Sequence, residues 1–176
     1  MRRVAVFLDG SNFFFTQKLL GWSIDAEKLL DYCKQYGDVV EATYYTGISE
    51  NGNQRKYFGK LGYIGYSLVT KPIKTVHDNI TGQVYYKANL DTEIVLDMFN
   101  MIDRYDMAIL ISGDSDFERA VQQLKSRGKE VKVISGRGCV SSELVFAAGV
   151  NYVDFDEIRS LVERKDKPHP FNNIAA

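Results

Sequence analysis

The sequence predicts an α/β domain built on a largely parallel central sheet, and three observations carry that reading. Short β-branched or apolar runs alternate with longer amphipathic stretches, the pattern of strand–helix–strand units. The connections between them are short and polar, as such units require. Apolar residues make up 45% of the chain and the net charge is only -1, which suits a buried core and not a disordered chain. With 176 residues one domain is expected over 1–164, and 165–176, carrying Pro168 and Pro170, reads as a flexible tail.

The elements follow in order. Arg3 to Leu8 is a buried-strand run, and it ends in Asp9-Gly10-Ser11-Asn12, a turn rich in capping residues before a helix to about Leu20. A second helix spans Asp25 to Gln35, with Ala26, Leu29, Leu30 and Cys33 on one face and Gly37 as its stop. Val39 to Thr46 is β-branched and aromatic, a strand. A polar loop over Ile48 to Gly52 leads to a helix over Gln54 to Leu61 and a strand over Tyr66 to Thr70. Ile73 to Val76 and Val84 to Lys87 flank a turn near Gly82 and predict a hairpin. Leu90, Ile94, Val95, Met98 and Ile102 recur at helical spacing.

Met107 to Ser112 is the most strand-like run, followed by Gly113-Asp114-Ser115-Asp116. Ser115 and Glu118 have capping-box spacing, so a helix is expected from about Asp116 to Ser126, with Gly128 beyond it. Glu130 to Ile134 is another strand, Ser142 to Ala147 a short helix, and Tyr152-Val153 a last strand.

Composition excludes several classes. No apolar run approaches the ~18 residues of a membrane span, and the opening run meets Asp9 too early for a signal peptide. Cys33 and Cys139 form no CxxC and fit neither a zinc site nor a disulfide framework, so a reduced, cytoplasmic protein without a membrane partner is expected. The first strand-to-helix turn holds one glycine, Gly10, where a nicotinamide fingerprint needs three. Gly136-Arg137-Gly138 reads as a turn, and His77 and His169 lack metal-ligand spacing.

In a parallel sheet the functional crevice lies beyond the C-terminal strand ends. Asp9 follows the first strand, and Asp114 and Asp116 follow Ser112-Gly113. Acids at such junctions commonly cap helices, yet with Ser115 as the expected cap, Asp114 and Asp116 are left for other work. Asp91 falls on the apolar stripe of its helix, where a charge without a partner is costly; Asp97 and Glu93 are expected to point further outward. Carboxylates gathered without His or Cys form an oxygen-only set, suited to Mg²⁺ or Mn²⁺. Asn12 and Ser112 stand beside them as orienting groups.

Between Gln54 and Leu90 lie Arg55, Lys56, Lys60, Lys71, Lys74 and Lys87 against one acid, Asp78, with Tyr57, Phe58, Tyr63, Tyr66, Tyr85 and Tyr86 among them. Cations for phosphates and rings for bases are the ingredients of single-strand binding; the plainer reading places Tyr57, Phe58 and Tyr66 in the core. Arg55, Lys56, Lys60 and Lys87 are the candidate RNA-binding residues.

These motifs resemble the NYN domains of the PIN-like superfamily, in particular the LabA-like group. The resemblance rests on Phe7-Leu8-Asp9-Gly10-Ser11-Asn12, Lys87-Ala88-Asn89-Leu90-Asp91, Ile111-Ser112-Gly113-Asp114-Ser115-Asp116-Phe117, Gly128-Lys129-Glu130-Val131 and Ser142-Glu143-Leu144. The lysine segment is one residue longer than in many relatives, and Gly149 follows Ala147-Ala148 where relatives often carry Asp. The resemblance implies a Rossmann-like, PIN-like three-layer sandwich with a mainly parallel sheet and a hairpin insertion. It also implies an acidic metal-binding crevice and ribonuclease activity, the family's acids falling on Asp9, Asp91, Asp114 and Asp116.

The leading expectation is a Mg²⁺- or Mn²⁺-dependent endoribonuclease with Asp9, Asp114 and Asp116 as metal ligands. Asp91 completes the catalytic set, and single-stranded or structured RNA is the partner. The alternative is a non-catalytic RNA-binding or regulatory module that retains the crevice. A phosphatase with an aspartate nucleophile is disfavoured, since Ser11 stands where that class has a second Asp. A homo-oligomer is compatible with the sequence.

Overall fold

A computed structural model describes residues 1–48, 54–77 and 84–165. The predicted turn at Gly82, most of the loop before Gln54, His169 and nearly all of the expected tail lie outside the described residues. Eight strands are described: β1 (Arg3–Asp9), β2 (Asp38–Ile48), β3 (Ser67–Pro72), β4 (Lys74–His77), β5 (Val84–Lys87), β6 (Met107–Ile111), β7 (Glu130–Ser135) and β8 (Tyr152–Asp154). The helices are α1 (Gly10–Leu20), α2 (Ala26–Lys34), α3 (Arg55–Ile64), α4 (Asp91–Asn100), α5 (Glu118–Ser126), α6 (Ser142–Ala148) and α7 (Arg159–Val162).

Six strands form one sheet in the order β3-β2-β1-β6-β7-β8, and every neighbouring pair is parallel. β4 and β5 pair antiparallel as a separate ribbon inserted before α4. Strand side chains alternate between faces, and here both faces are buried. Val4, Val6, Leu8, Met107, Ile109 and Ile111 join one apolar cluster with α1, α2, α3 and α7 residues. Ala5, Phe7, Ala108 and Leu110 join a second with α4, α5 and α6 residues. Helices on both faces make three layers, the expected sandwich. No described helix is long and apolar enough to cross a membrane.

Local chemistry explains the helix ends. The Asp25 carboxylate caps α2 by accepting from Glu27 N and Lys28 N, and Gly21 closes α1 in the left-handed region at φ 72°, where a Cβ is penalised. At the far edge Arg3 grips Asp106 through its backbone amide and guanidinium, which ties the start of β1 to β6.

Two differences from expectation have plain causes. The run expected to stay helical from Leu90 to Ile102 leaves the α-helix after Asn100 and continues as a single tight turn at Ile102–Arg104. That lets the Tyr105 hydroxyl donate to Met98 O. Four-residue α7 was not anticipated, because one turn shows no periodicity.

Candidate metal centre

The chain visits β1, β2 and β3 in one direction from the middle of the sheet, then β6, β7 and β8 in the other. Such a reversal opens a crevice between the two central strands at their C-terminal ends. Asp9 is the last residue of β1 and Asp114 follows β6 by three positions, so the acids stand where sheet topology makes room.

Asp9 is held firmly. One oxygen accepts from Ser11 N and Asn12 N, both at 3.1 Å, and the other accepts from Ser112 Oγ at 2.9 Å. Burial pushes its pKa above the ordinary aspartate value, against the pull of those hydrogen bonds, and the charge of Asp91 adds to the rise. Asn12 Oδ1 accepts from Gly113 N at 2.9 Å, joining α1 to the loop after β6. Ser112 Oγ also accepts from Asp114 N at 3.3 Å. Asn12 and Ser112 thus bond the Asp9 carboxylate and the Gly113–Asp114 backbone.

Asp91, at the first residue of α4, meets Asp114 and Asp116: each offers one carboxylate oxygen, and the three lie within 4.8 Å of one another. The expected ligand trio was Asp9, Asp114 and Asp116. In the structure Asp91, Asp114 and Asp116 form the group close enough to share an ion, while Asp9 sits deeper in the same crevice with both oxygens engaged by α1 and Ser112. The crevice encloses about 360 Å³.

The donor set suits a hard divalent cation: all oxygen, no His or Cys, and half open to water. Opposite ligands on one Mg²⁺ stand about 4.2 Å apart, given bonds of ~2.1 Å, so these oxygens are within small rotations of sharing an ion. Like charges this close repel, and a bound cation relieves that repulsion.

Other expectations fare unevenly. Ser115 is not the cap; Asp114 is, its Oδ1 accepting from Asp116 N at 3.0 Å, because the helix opens with a tight turn at Ser115–Phe117. Glu93 does not point freely outward but pairs with Lys71 at 2.7 Å, and Asp97 accepts from the Tyr45 hydroxyl at 3.0 Å. Arg55, Lys56 and Lys60 lie exposed on α3. Lys87 ends β5, and its side chain lies outside the described residues, as does that of His77. Tyr57 and Phe58 pack against the core and Tyr66 is buried within it, so the plainer reading holds for those rings.

Two residues at the site were missed. Asn89 Oδ1 accepts from Asp91 N at 2.8 Å, fixing the start of α4; an Asn two positions before a helical Asp was the available signal. Phe15, 59% exposed, walls the crevice and left no trace in the apolar pattern.

The family model of the NYN domain matches residues 3–156. The low amplitude and bright protein LabA of Synechococcus elongatus is 40% identical over 172 residues, covering 96% of this chain and 92% of that protein. A crystal structure of a Vibrio parahaemolyticus protein of unknown function superposes with a TM-score of 0.77 at 25% identity, over 92% of this chain and 96% of that one. With the parallel sheet, the inserted ribbon and acids at the strand ends, these matches make the chain a member of the NYN domain family, of the LabA-like kind.

Proposed function

We propose that the protein is a metal-dependent endoribonuclease that hydrolyses RNA phosphodiester bonds at a carboxylate-held Mg²⁺ or Mn²⁺ site. One observation carries this reading: the oxygens of Asp91, Asp114 and Asp116, drawn from two distant parts of the chain, gather at the switch point of the sheet. Those three would hold the ion, and Asp9, lining the same crevice, adds to the set directly or through water. A cation bound there supplies Lewis acidity toward a phosphoryl oxygen and lowers the cost of ionising water. Asn12 and Ser112 keep Asp9 and the Gly113–Asp114 backbone in place. Exposed Arg55, Lys56 and Lys60, with Lys87, steer the RNA phosphates.

A second reading, a non-catalytic RNA-binding or regulatory module, draws on a specific feature. Asp9 and Asp114 also cap turns, which gives them a structural use without turnover. Cleavage of labelled single-stranded RNA under EDTA, Mg²⁺ or Mn²⁺ separates the two. Asp114→Asn suits this test because Asn caps as well as Asp, so the turn survives while the charge goes. The expected result is metal-dependent cutting that the variant loses by about a hundredfold or more, the scale of several kcal/mol of charge stabilisation. No cutting, with RNA held equally by both proteins, leaves the second reading.

A further inference from the structure

Asp114 and Asp116 follow β6 of the central sheet, whereas Asp91 opens α4 behind the separate β4–β5 ribbon. Its place beside them therefore depends on how the segment from Ala88 to Glu93 is seated on the sheet. Two neighbouring positions form that seat, for Gly47 of β2 and Lys71 of β3 are register partners. Tyr45 and Val69, two residues before them, pack with Leu90, Ile94 and Met98, so this face of both strands looks toward α4. A Cβ at Gly47 would stand 2.7 Å from Ala88 Cβ; the chain passes hard against β2 there. Beside it Lys71 Nζ donates to Asn89 O at 3.2 Å and to Glu93 Oε1 at 2.7 Å. Asn89 in turn accepts from Asp91 N through Oδ1 at 2.8 Å.

We infer that Lys71 is a positioning residue for Asp91. Its single ammonium grips the turn on both sides of the acid, at Asn89 and at Glu93, and so fixes how far Asp91 stands from Asp114 and Asp116. The inference rests on those acids holding a cation and deepens that reading by naming what holds the third ligand.

Lys71 lies on β3, an edge strand of the sheet. An edge lysine commonly serves only to discourage pairing with another sheet, and a half-exposed ion pair adds little to overall stability. Here the ammonium also meets a backbone carbonyl two residues before Asp91, a contact that neither role requires. Metal bonds tolerate only about 0.2 Å of error, so a small shift of this turn is felt at the ion.

Charge and position pull in opposite directions. Removing a positive charge near a cation site by itself tightens cation binding, whereas releasing a ligand loosens it. Mn²⁺ binding to the full chain is followed by loss of the free-ion EPR signal, comparing wild type with Lys71→Met, which removes the ammonium and keeps the aliphatic stem. Affinity is expected to fall about tenfold, the lower end of the range for partners that support metal ligands. Lys71→Arg, which keeps the charge and the donors, should recover most of it. Lys34→Met, which breaks an ion pair with Asp31 on α2, should leave it unchanged. A second readout needs no metal. In the metal-free protein Lys71→Met should speed hydrogen exchange at the amides of Asp91 and Ile94, which hold the first turn of α4, and leave those of β1 as in wild type.

Mn²⁺ bound equally or more tightly by Lys71→Met overturns the inference, as does unchanged exchange at Asp91. The nuclease reading fails separately: wild type that binds no Mn²⁺, while Lys71→Met frees the Asp91 amide, keeps the positioning role and loses the metal site. Wild type that binds Mn²⁺ and cuts RNA, with Lys71→Met doing both equally well, does the reverse.

Discussion

Asp9 is held by three hydrogen bonds and still costs stability when ionised, because burial raises its pKa more than those bonds lower it. A raised carboxyl pKa means that the folded state keeps a proton the unfolded state releases. Stability therefore falls as pH climbs from the ordinary aspartate range to the raised folded value, and no further beyond it. Asn at this position can accept from the same amides and meet the Ser112 hydroxyl without the charge. Asp9→Asn should thus melt higher than wild type at neutral pH in metal-free buffer, with the gap closing as pH falls below the ordinary aspartate range. Thermal melts across pH test this; a variant that melts lower at neutral pH refutes it. Gly113 makes the opposite case. A Cβ there would stand 1.9 Å from Cys139 O, backbone that cannot swing away. Gly113→Ala should cost ~1–3 kcal/mol, the usual scale of overpacking, read as a lower denaturation midpoint.

At the scale of elements, what was legible in the sequence depended on how strongly each element's environment repeats. Strands buried on both faces gave continuous apolar runs, so β1, β6 and β7 stand within a residue or two of expectation. Acids at strand ends were legible for the same reason, since a strand's end is marked wherever its apolar run stops. All four acids were placed together from the sequence, but which three lie closest was not legible, because the distance of α4 from the strand ends is set by tertiary packing and leaves no periodic signal. Tyrosines in α3 were ambiguous because a ring with a hydroxyl suits both core and surface. Helix α2 offers a direct check on its packing. Cys33 sits on the inward face, and burial pushes its thiol up to about 12, leaving almost no thiolate at neutral pH. Cys139 is half-buried on the loop after β7. A thiol reagent should modify Cys139 in the native protein and reach Cys33 only on unfolding. Rapid modification of both thiols would mean that α2 is not docked on the sheet.

For the whole molecule, the crevice concentrates negative charge between two halves of one sheet. Asp9 comes from the β1 side and Asp114 and Asp116 from the β6 side, bridged by Asp91 on a helix that packs on one face of the sheet, against β1. An ion bound to such a set binds the native state and not the unfolded chain, so it must stabilise by mass action. At a concentration a hundredfold above its dissociation constant the gain is about 2.7 kcal/mol. For a chain of this size that is roughly 5–10 °C in melting temperature. Mg²⁺ or Mn²⁺ should therefore raise the melting midpoint of wild type, and EDTA should reverse it. Asp91→Asn and Asp116→Asn should each blunt the shift, while Arg55→Ala, outside the lining of the acidic crevice, should not. The same ion also removes the penalty carried by Asp9, since a nearby cation favours its ionised form. Metal should accordingly narrow the gap between wild type and Asp9→Asn at neutral pH. A melting midpoint indifferent to both ions, in wild type and variants alike, would mean that the carboxylates serve the fold as caps and hold no cation.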